Sequence, residues 1–158
     1  MWSMTMERKS SFSLELIQEM WASDSVINPD ELDTESLKVP QLHAKYYDLY
    51  NTTLSLKKQA ETVFSGILLE RRKYYSGKAD SQIYIDEPFP YKVRDKSELQ
   101  LHLDADERMQ KAKLKIDYYD IMLKYLEEVL KQISNRTYQI KNAIEWRRFS
   151  AGYGWSGY

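Results

Sequence analysis

The sequence predicts a mainly α-helical protein, a long antiparallel, coiled-coil-like helical hairpin with a small β-hairpin insert between its helices. Two stretches place apolar residues at alternating steps of four and three, which is the seam of packed helices rather than the period of two of a strand. Gly 5 and Pro 4 in 158 residues are both below ordinary usage, so turns are few and elements long. The stretch between the two seams has another grammar, with short β-branched and aromatic runs around two prolines.

Residues 1–38 read as an N-terminal extension with one short amphipathic helix, capped by Ser11 or Ser13 and carrying Leu14, Ile17, Met20 and Trp21. Asn28-Pro29-Asp30 breaks it, and a polar run to Lys38 leads to Pro40, a favourable first-turn residue for the next helix. Residues 39–78 hold the first long helix, with seam Leu42, Tyr46, Leu49, Thr53, Leu56, Ala60, Val63 and Ile67. It is expected over about 41–75, roughly 50 Å at 1.5 Å per residue, with Ser76-Gly77 as its stop. Residues 79–104 are the insert: Ile83-Tyr84-Ile85 and Tyr91-Lys92-Val93 read as two strands around Glu87-Pro88-Phe89-Pro90, and Leu99, Leu101 and Leu103 alternate as a third or open the next helix.

Residues 105–149 hold the second long helix, capped by Asp104 or Asp106, with seam Met109, Ala112, Ile116, Tyr119, Leu123, Leu126, Leu130, Ile133, Thr137, Ile140 and Ile144. It outruns the first helix, and its apolar end, Leu126, Leu130, Ile133, Ile140 and Ile144, is expected to mediate self-association, a dimer being the default. Residues 150–158 form a glycine and aromatic tail.

The formal net charge of -1 hides a segregated distribution. Residues 1–63 carry 6 basic and 10 acidic side chains, 64–78 carry 4 and 1, 79–110 carry 4 and 8, and 111–158 carry 9 and 5. Near-neutrality excludes a histone-like global polycation but leaves local nucleic-acid binding open. Cys 0 excludes disulfides, thiolate metal sites and a cysteine nucleophile. No run reaches the roughly 20 apolar residues of a membrane span, and Met1 to Ser13 lacks the apolar core of a secretory signal. The expectation is a soluble intracellular protein, in which the sequons at Asn51 and Asn135 are chance matches.

The sharpest polar cluster is Arg71, Arg72, Lys73, Tyr74, Tyr75 and Lys78. Cations beside aromatic rings suit single-stranded DNA, phosphates meeting charge and bases meeting rings. They equally suit a solvated helix end, where basic residues complement the dipole. Lys111, Lys113 and Lys115 fall about 200° apart on a helix and form no single stripe. For Arg136, Lys141, Arg147 and Arg148, ion pairing between subunits competes with DNA contact. His43 and His102 have no partner at ligand spacing, no carboxylates pair as acid and base, and no phosphate loop or nucleophile motif occurs, so neither a metal, a cofactor nor an enzyme is expected.

The run Arg72-Lys73-Tyr74-Tyr75-Ser76-Gly77-Lys78 resembles the helix-ending Tyr-Tyr-Ser-Gly motif of the UvsY family, recombination mediators of T-even-like bacteriophages. Arg136, Ile140-Lys141, Arg147, Phe149 and Ala151-Gly152 are similar to the same family, and Asp117-Tyr118-Tyr119 lies between at fitting spacing. The resemblance spans roughly residues 30–152. It implies a non-enzymatic protein of DNA recombination, repair and replication that binds single-stranded DNA in the cytoplasm of an infected bacterium. It also implies a ring of identical subunits, a hexamer or heptamer, that helps a UvsX-type recombinase load onto DNA covered by the phage single-strand-binding protein. The family's DNA contact includes a Lys-Ala-Arg-Leu segment before the paired tyrosines. Here the segment is Leu69-Glu70-Arg71-Arg72, so only Arg71 matches, with Arg72 and Lys73 available as neighbouring cations. The competing expectation is a structural coiled-coil adaptor whose basic residues only solvate helix ends.

Overall fold

The computed structural model describes residues 12–152, and among these it contains helices and no strand. Five helices follow in order: α1 (Leu14–Asp24), α2 (Leu32–Tyr75), α3 (Ser81–Asp86), α4 (Lys96–Ala105) and α5 (Glu107–Ser150). Two compact units result, one from the described residues up to Tyr50 and from Lys124 onward, the other from Asn51–Leu123. Helices α2 and α5, each of 44 residues, contribute to both.

In the first unit, Ser13 caps α1, its Oγ accepting the Leu16 N–H at 3.2 Å, and Ile17 is buried. Ser11, the other expected cap, lies outside the described residues, as does most of the tail. Asn28 Oδ1 accepts the Asp30 N–H at 3.0 Å, closing the turn that separates α1 from α2. Helix α2 then starts at Leu32, not at Pro40, which sits inside it. An interior proline forfeits one backbone hydrogen bond and clashes with the preceding turn, a cost of about 3 kcal/mol. The turns before it are nevertheless anchored. Leu32 and Glu35 are buried, and Glu35 Oε2 accepts Arg136 Nη2 at 3.0 Å. Tyr46, Leu126, Val129, Ile133, Arg136 and Ile140 are buried with them. Glu35 meeting Arg136 and Tyr50 meeting Glu127 order the two helix segments antiparallel.

In the second unit, Lys57 reaches Asp120 at 2.7 Å and Arg71 reaches Asp106 at 2.6 Å, again an antiparallel order. Thr53, Ala60, Tyr74, Leu103, Met109, Met122 and Leu123 are buried here. The expected β-hairpin is absent. Ile83-Tyr84-Ile85 lies in α3, and Tyr91-Lys92-Val93 has no regular structure. The helical turn brings the Tyr84 ring onto Tyr74, centroids 5.4 Å apart at 17°, and lets its hydroxyl donate to the Tyr74 carbonyl at 2.7 Å. This tertiary contact overrides the β preference of the triplet, which leaves Tyr91-Lys92-Val93 without a strand to pair with.

The third expected strand is α4. Asp95 caps it by accepting the Glu98 N–H at 2.8 Å, and Glu98 reaches back to the Arg94 N–H at 3.0 Å. On the helix Leu99 and Leu103 share a face, and Leu103 is buried while Leu101 is exposed. Asp106 caps α5, its Oδ1 accepting the Met109 N–H at 3.0 Å.

Both seams depart from strict heptads. After Ala60 the inward face of α2 runs through Phe64, Ile67, Arg71 and Tyr74, leaving Val63 58% exposed. Two consecutive steps of four, 56 to 60 to 64, correct the drift of a 3.6-residue helix against a 3.5-residue repeat. On α5 the fully buried face is Met122, Leu126, Val129, Ile133, Arg136 and Ile140, so Arg136 and not Thr137 occupies the seam.

Candidate nucleic-acid interface

The C-terminal end of α2 is built by a Schellman motif. Gly77 adopts φ 75°, the Lys78 N–H donates to the Lys73 carbonyl at 2.9 Å, and the Gly77 N–H donates to the Tyr74 carbonyl at 3.2 Å. A side chain at position 77 would be strained in this left-handed conformation. The motif fixes where the chain leaves the helix and therefore where Lys78 stands relative to Arg72 and Lys73.

The six residues of the expected DNA-binding cluster divide by direction. Arg71 and Tyr74 point inward, each 4% exposed, and Tyr75 is half-buried. Arg72, Lys73 and Lys78 are exposed and form no ion pair with another described residue. The Arg71 guanidinium is fully engaged inside the unit. Its Nε donates to Asp106 Oδ2 at 2.6 Å, its Nη2 to Glu87 Oε1 at 3.3 Å and to the Tyr75 hydroxyl at 3.4 Å. Its Cζ lies 4.3 Å from the Tyr74 ring centre and 5.1 Å from that of Tyr75.

Electrostatics follow from this packing. Burial would push the Asp106 carboxyl up, but hydrogen bonds from Tyr75 at 2.7 Å, from the Met109 amide and from Arg71 outweigh it and hold the group below the usual carboxylate range. Burial would weaken the Arg71 charge, yet its contacts with Tyr75, Asp106 and Glu87 reverse this and strengthen it. Tyr74 is pushed up by burial and then by Glu87, and Tyr75 by burial and by Asp106. Arg71 is thus a permanently charged internal brace.

Around this end lie residues that the charge pattern did not single out. Phe89 packs against Tyr74 at 5.5 Å and Tyr75 at 5.2 Å, and His102 stacks on Tyr75 at 5.4 Å and 22°. A cleft of about 510 Å³ opens beside them, lined by Glu70, Arg71, Lys73, Lys78, Glu87 and Arg108 among others. Its lining mixes both signs of charge, Arg71, Lys73, Lys78 and Arg108 with Glu70, Asp80, Asp86 and Glu87.

The remaining expected sites are placed as follows. Lys111, Lys113 and Lys115 are exposed. Arg136 is buried, with Nη1 and Nη2 donating to the Asp24 and Val26 carbonyls at 2.9 and 3.1 Å, whereas Lys141, Arg147 and Arg148 are exposed. Of the expected association residues, Leu126, Ile133 and Ile140 are buried inside the first unit, Leu130 is half-buried and Ile144 is 39% exposed. Tyr138, Trp146 and Phe149 are also exposed near the end of α5. His43 stacks on Tyr47. Among the described residues no group of three or more His, Cys, Asp or Glu side chains is placed to hold a metal ion, and no helix is long and apolar enough to cross a membrane.

Continuing the α2 seam past Ile67 by four and then three lands on Arg71 and Tyr74, which is the sequence signal for their burial. No comparable signal marks Phe89 or His102.

Residues 20–153 match the family model described as "Recombination, repair and ssDNA binding protein UvsY". The recombination protein uvsY of Enterobacteria phage T4 is 27% identical over 139 residues, covering 88% of this chain and 98% of the relative. A crystal structure of the bacteriophage T4 recombination mediator protein UvsY superposes with TM-score 0.78 at 26% identity, covering 89% of this chain and 98% of that one. Another lattice type of the same protein gives TM-score 0.76 at 25% identity, over 85% and 98%.

Proposed function

Since this chain belongs to the UvsY family of recombination, repair and single-stranded-DNA-binding proteins, we propose that it is a recombination mediator that grips single-stranded DNA at the end of α2. The observation that carries this is the trio Arg72, Lys73 and Lys78 at the end of α2, exposed and without ion pairs to described residues, of which Lys73 and Lys78 line one cleft with Tyr74. Cations that hold no carboxylate stay available to phosphates. Arg71, the arginine that matches the family segment, braces the Tyr74 and Tyr75 rings and does not itself meet the backbone.

In this reading the chain assembles into a ring of identical subunits, and repetition of a weak patch along one strand raises its effective concentration. The assembly helps a UvsX-type recombinase nucleate where a single-strand-binding protein covers the DNA, in the cytoplasm of an infected bacterium. No chemical step belongs to it.

Replacing Arg72, Lys73 and Lys78 together by Ala is expected to lower the slope of log affinity against log salt by about 2, at roughly 0.7 for each phosphate contact on a single strand. A fluorescence titration with oligo(dT) measures it, and an unchanged slope removes the trio from the site. Wild-type protein that flows through immobilised single-stranded DNA at low salt leaves only the adaptor role. Self-association is assigned to the outer end of α5. Ile144→Asp is expected to lower the sedimentation coefficient without loss of helicity, because Ile144 is 39% exposed in the single chain. An unaltered sedimenting species sinks that assignment. Ile140, 3% exposed, is a poor probe, since its replacement unsettles the first unit directly.

A further inference from the structure

The aromatic cluster of the second unit extends beyond the paired tyrosines. Tyr75, His102 and Tyr91 form a column of rings, with Tyr75 to His102 at 5.4 Å and 22° and His102 to Tyr91 at 6.2 Å and 30°. Phe89 supports it from the side, meeting His102 at 5.2 Å and 89° and Tyr91 at 5.8 Å and 65°. At the inner end, Tyr75 is clamped by Arg71 and by its hydrogen bond to Asp106. At the outer end, Tyr91 is 68% exposed. The column therefore runs from a buried ion pair to an open ring.

Two exposed cations, Lys92 and Arg94, lie next to and three residues after that ring in sequence, and neither forms an ion pair with another described residue. Holding Tyr91 on two aromatic supports, His102 and Phe89, only to leave its ring in solvent gains little stability. A rigid exposed ring flanked by free cations is instead the combination that captures an unpaired base and its phosphates. The first unit supplies a contrast. His43, Tyr47 and Tyr50 also stack, at 5.7 and 6.5 Å, but the Tyr50 hydroxyl contacts Glu127, a carboxylate that repels a polyanion.

We propose that Tyr91 is a base-stacking platform, with Lys92 and Arg94 holding the adjoining phosphates, so that the single strand is held on its bases as well as on its backbone. This deepens the single-strand reading given above and rests on it. The ligand class is an unpaired nucleobase in a single strand, without sequence preference, because every base has a π-face. Because the column is already braced, stacking on Tyr91 demands little further ordering of the protein.

The test compares oligo(dT) with an oligonucleotide of equal length made of abasic sites, in the full-length protein. Tyr91→Ala is expected to weaken oligo(dT) binding about tenfold, within the roughly 1–3 kcal/mol attributed to one stacked base, and to leave abasic binding and the salt slope unchanged. Tyr91→Trp is expected to restore oligo(dT) affinity. Photocrosslinking with 5-iodouracil oligonucleotide is expected to label the peptide containing Tyr91. Equal oligo(dT) affinity of wild type and Tyr91→Ala overturns the platform while the cationic reading stands. Equal loss on both oligonucleotides, or failure of Trp to rescue, makes Tyr91 a structural residue and also overturns it. If the wild-type protein binds neither oligonucleotide, the single-strand reading itself has failed.

Discussion

Replacing Asp106 by Ala is expected to destabilise the protein by about 3–5 kcal/mol, because it leaves the Arg71 charge buried with only a half-exposed partner. The Arg71 and Asp106 side chains are 5% and 4% exposed, whereas Glu87 is 44% exposed. The same substitution removes the cap of α5, worth about 1 kcal/mol, and the acceptor of the Tyr75 hydroxyl. Asp106→Asn retains a good capping residue and nearly the same shape, so the difference between the two variants separates the cap from the charge. Urea unfolding measures both, and a midpoint shift for the Ala variant equivalent to less than about 1 kcal/mol would show that Glu87 suffices. The pH dependence has a definite sign. The Asp106 carboxyl titrates below its usual range when folded, so on acidification the unfolded chain binds the proton first. Its contribution is complete above the ordinary carboxylate range and is lost as pH falls through the lowered value. Asp106→Asn abolishes that part of the acid sensitivity.

Arg136→Met is the second large effect, again about 3–5 kcal/mol. It strands Glu35, whose side chain is 5% exposed and whose other ion-pair partner, Lys38, is half in solvent. It also removes the donors to the Asp24 and Val26 carbonyls, where α1 ends. The pair is not ideal, since Arg136 Nε is buried without a partner. Replacing both members by apolar residues, Glu35→Leu with Arg136→Met, is therefore expected to recover most of the loss. Denaturation of the two single variants and the double variant gives the coupling directly. Strict additivity would show that the two groups do not stabilise one another. The hydrogen bond from Lys38 first, and then that from Arg136 against the cost of burial, lower the Glu35 carboxyl. The first unit thus loses support in acid in the same direction as the second.

What was legible in the sequence was what depends on periodicity and end signals. The stepped apolar pattern located two long helices, Gly77 marked where α2 stops, and of the two candidate caps, Asp104 and Asp106, the second starts α5. Local signals failed where a distant residue decided the outcome. Pro40 looked like a helix start because the sequence around it does not reveal that Arg136 holds Glu35 one turn earlier. Ile83-Tyr84-Ile85 looked like a strand because its β preference is visible and the stacking of Tyr84 on Tyr74 is not. The basic cluster was located as a segment but not sorted by direction. The sequence groups Arg71 and Arg72 in one basic cluster, whereas the seam makes one an internal brace and leaves the other in solvent.

Arg71 has a further consequence for how the second unit finds its alignment. A seam of three- and four-residue steps repeats itself approximately even with one extra step of four, and hydrophobic burial discriminates between the native pairing and one slid by seven residues less sharply than a buried charge does. Sliding α2 by one repeat would set Phe64 where Arg71 stands, confronting Asp106 with a phenyl ring. The ion pair thus acts as an index mark, converting a repetitive track into a unique address at the cost of some stability. In the first unit Arg136 does the same, since a seven-residue slip would present Val129 or Ala143 to Glu35.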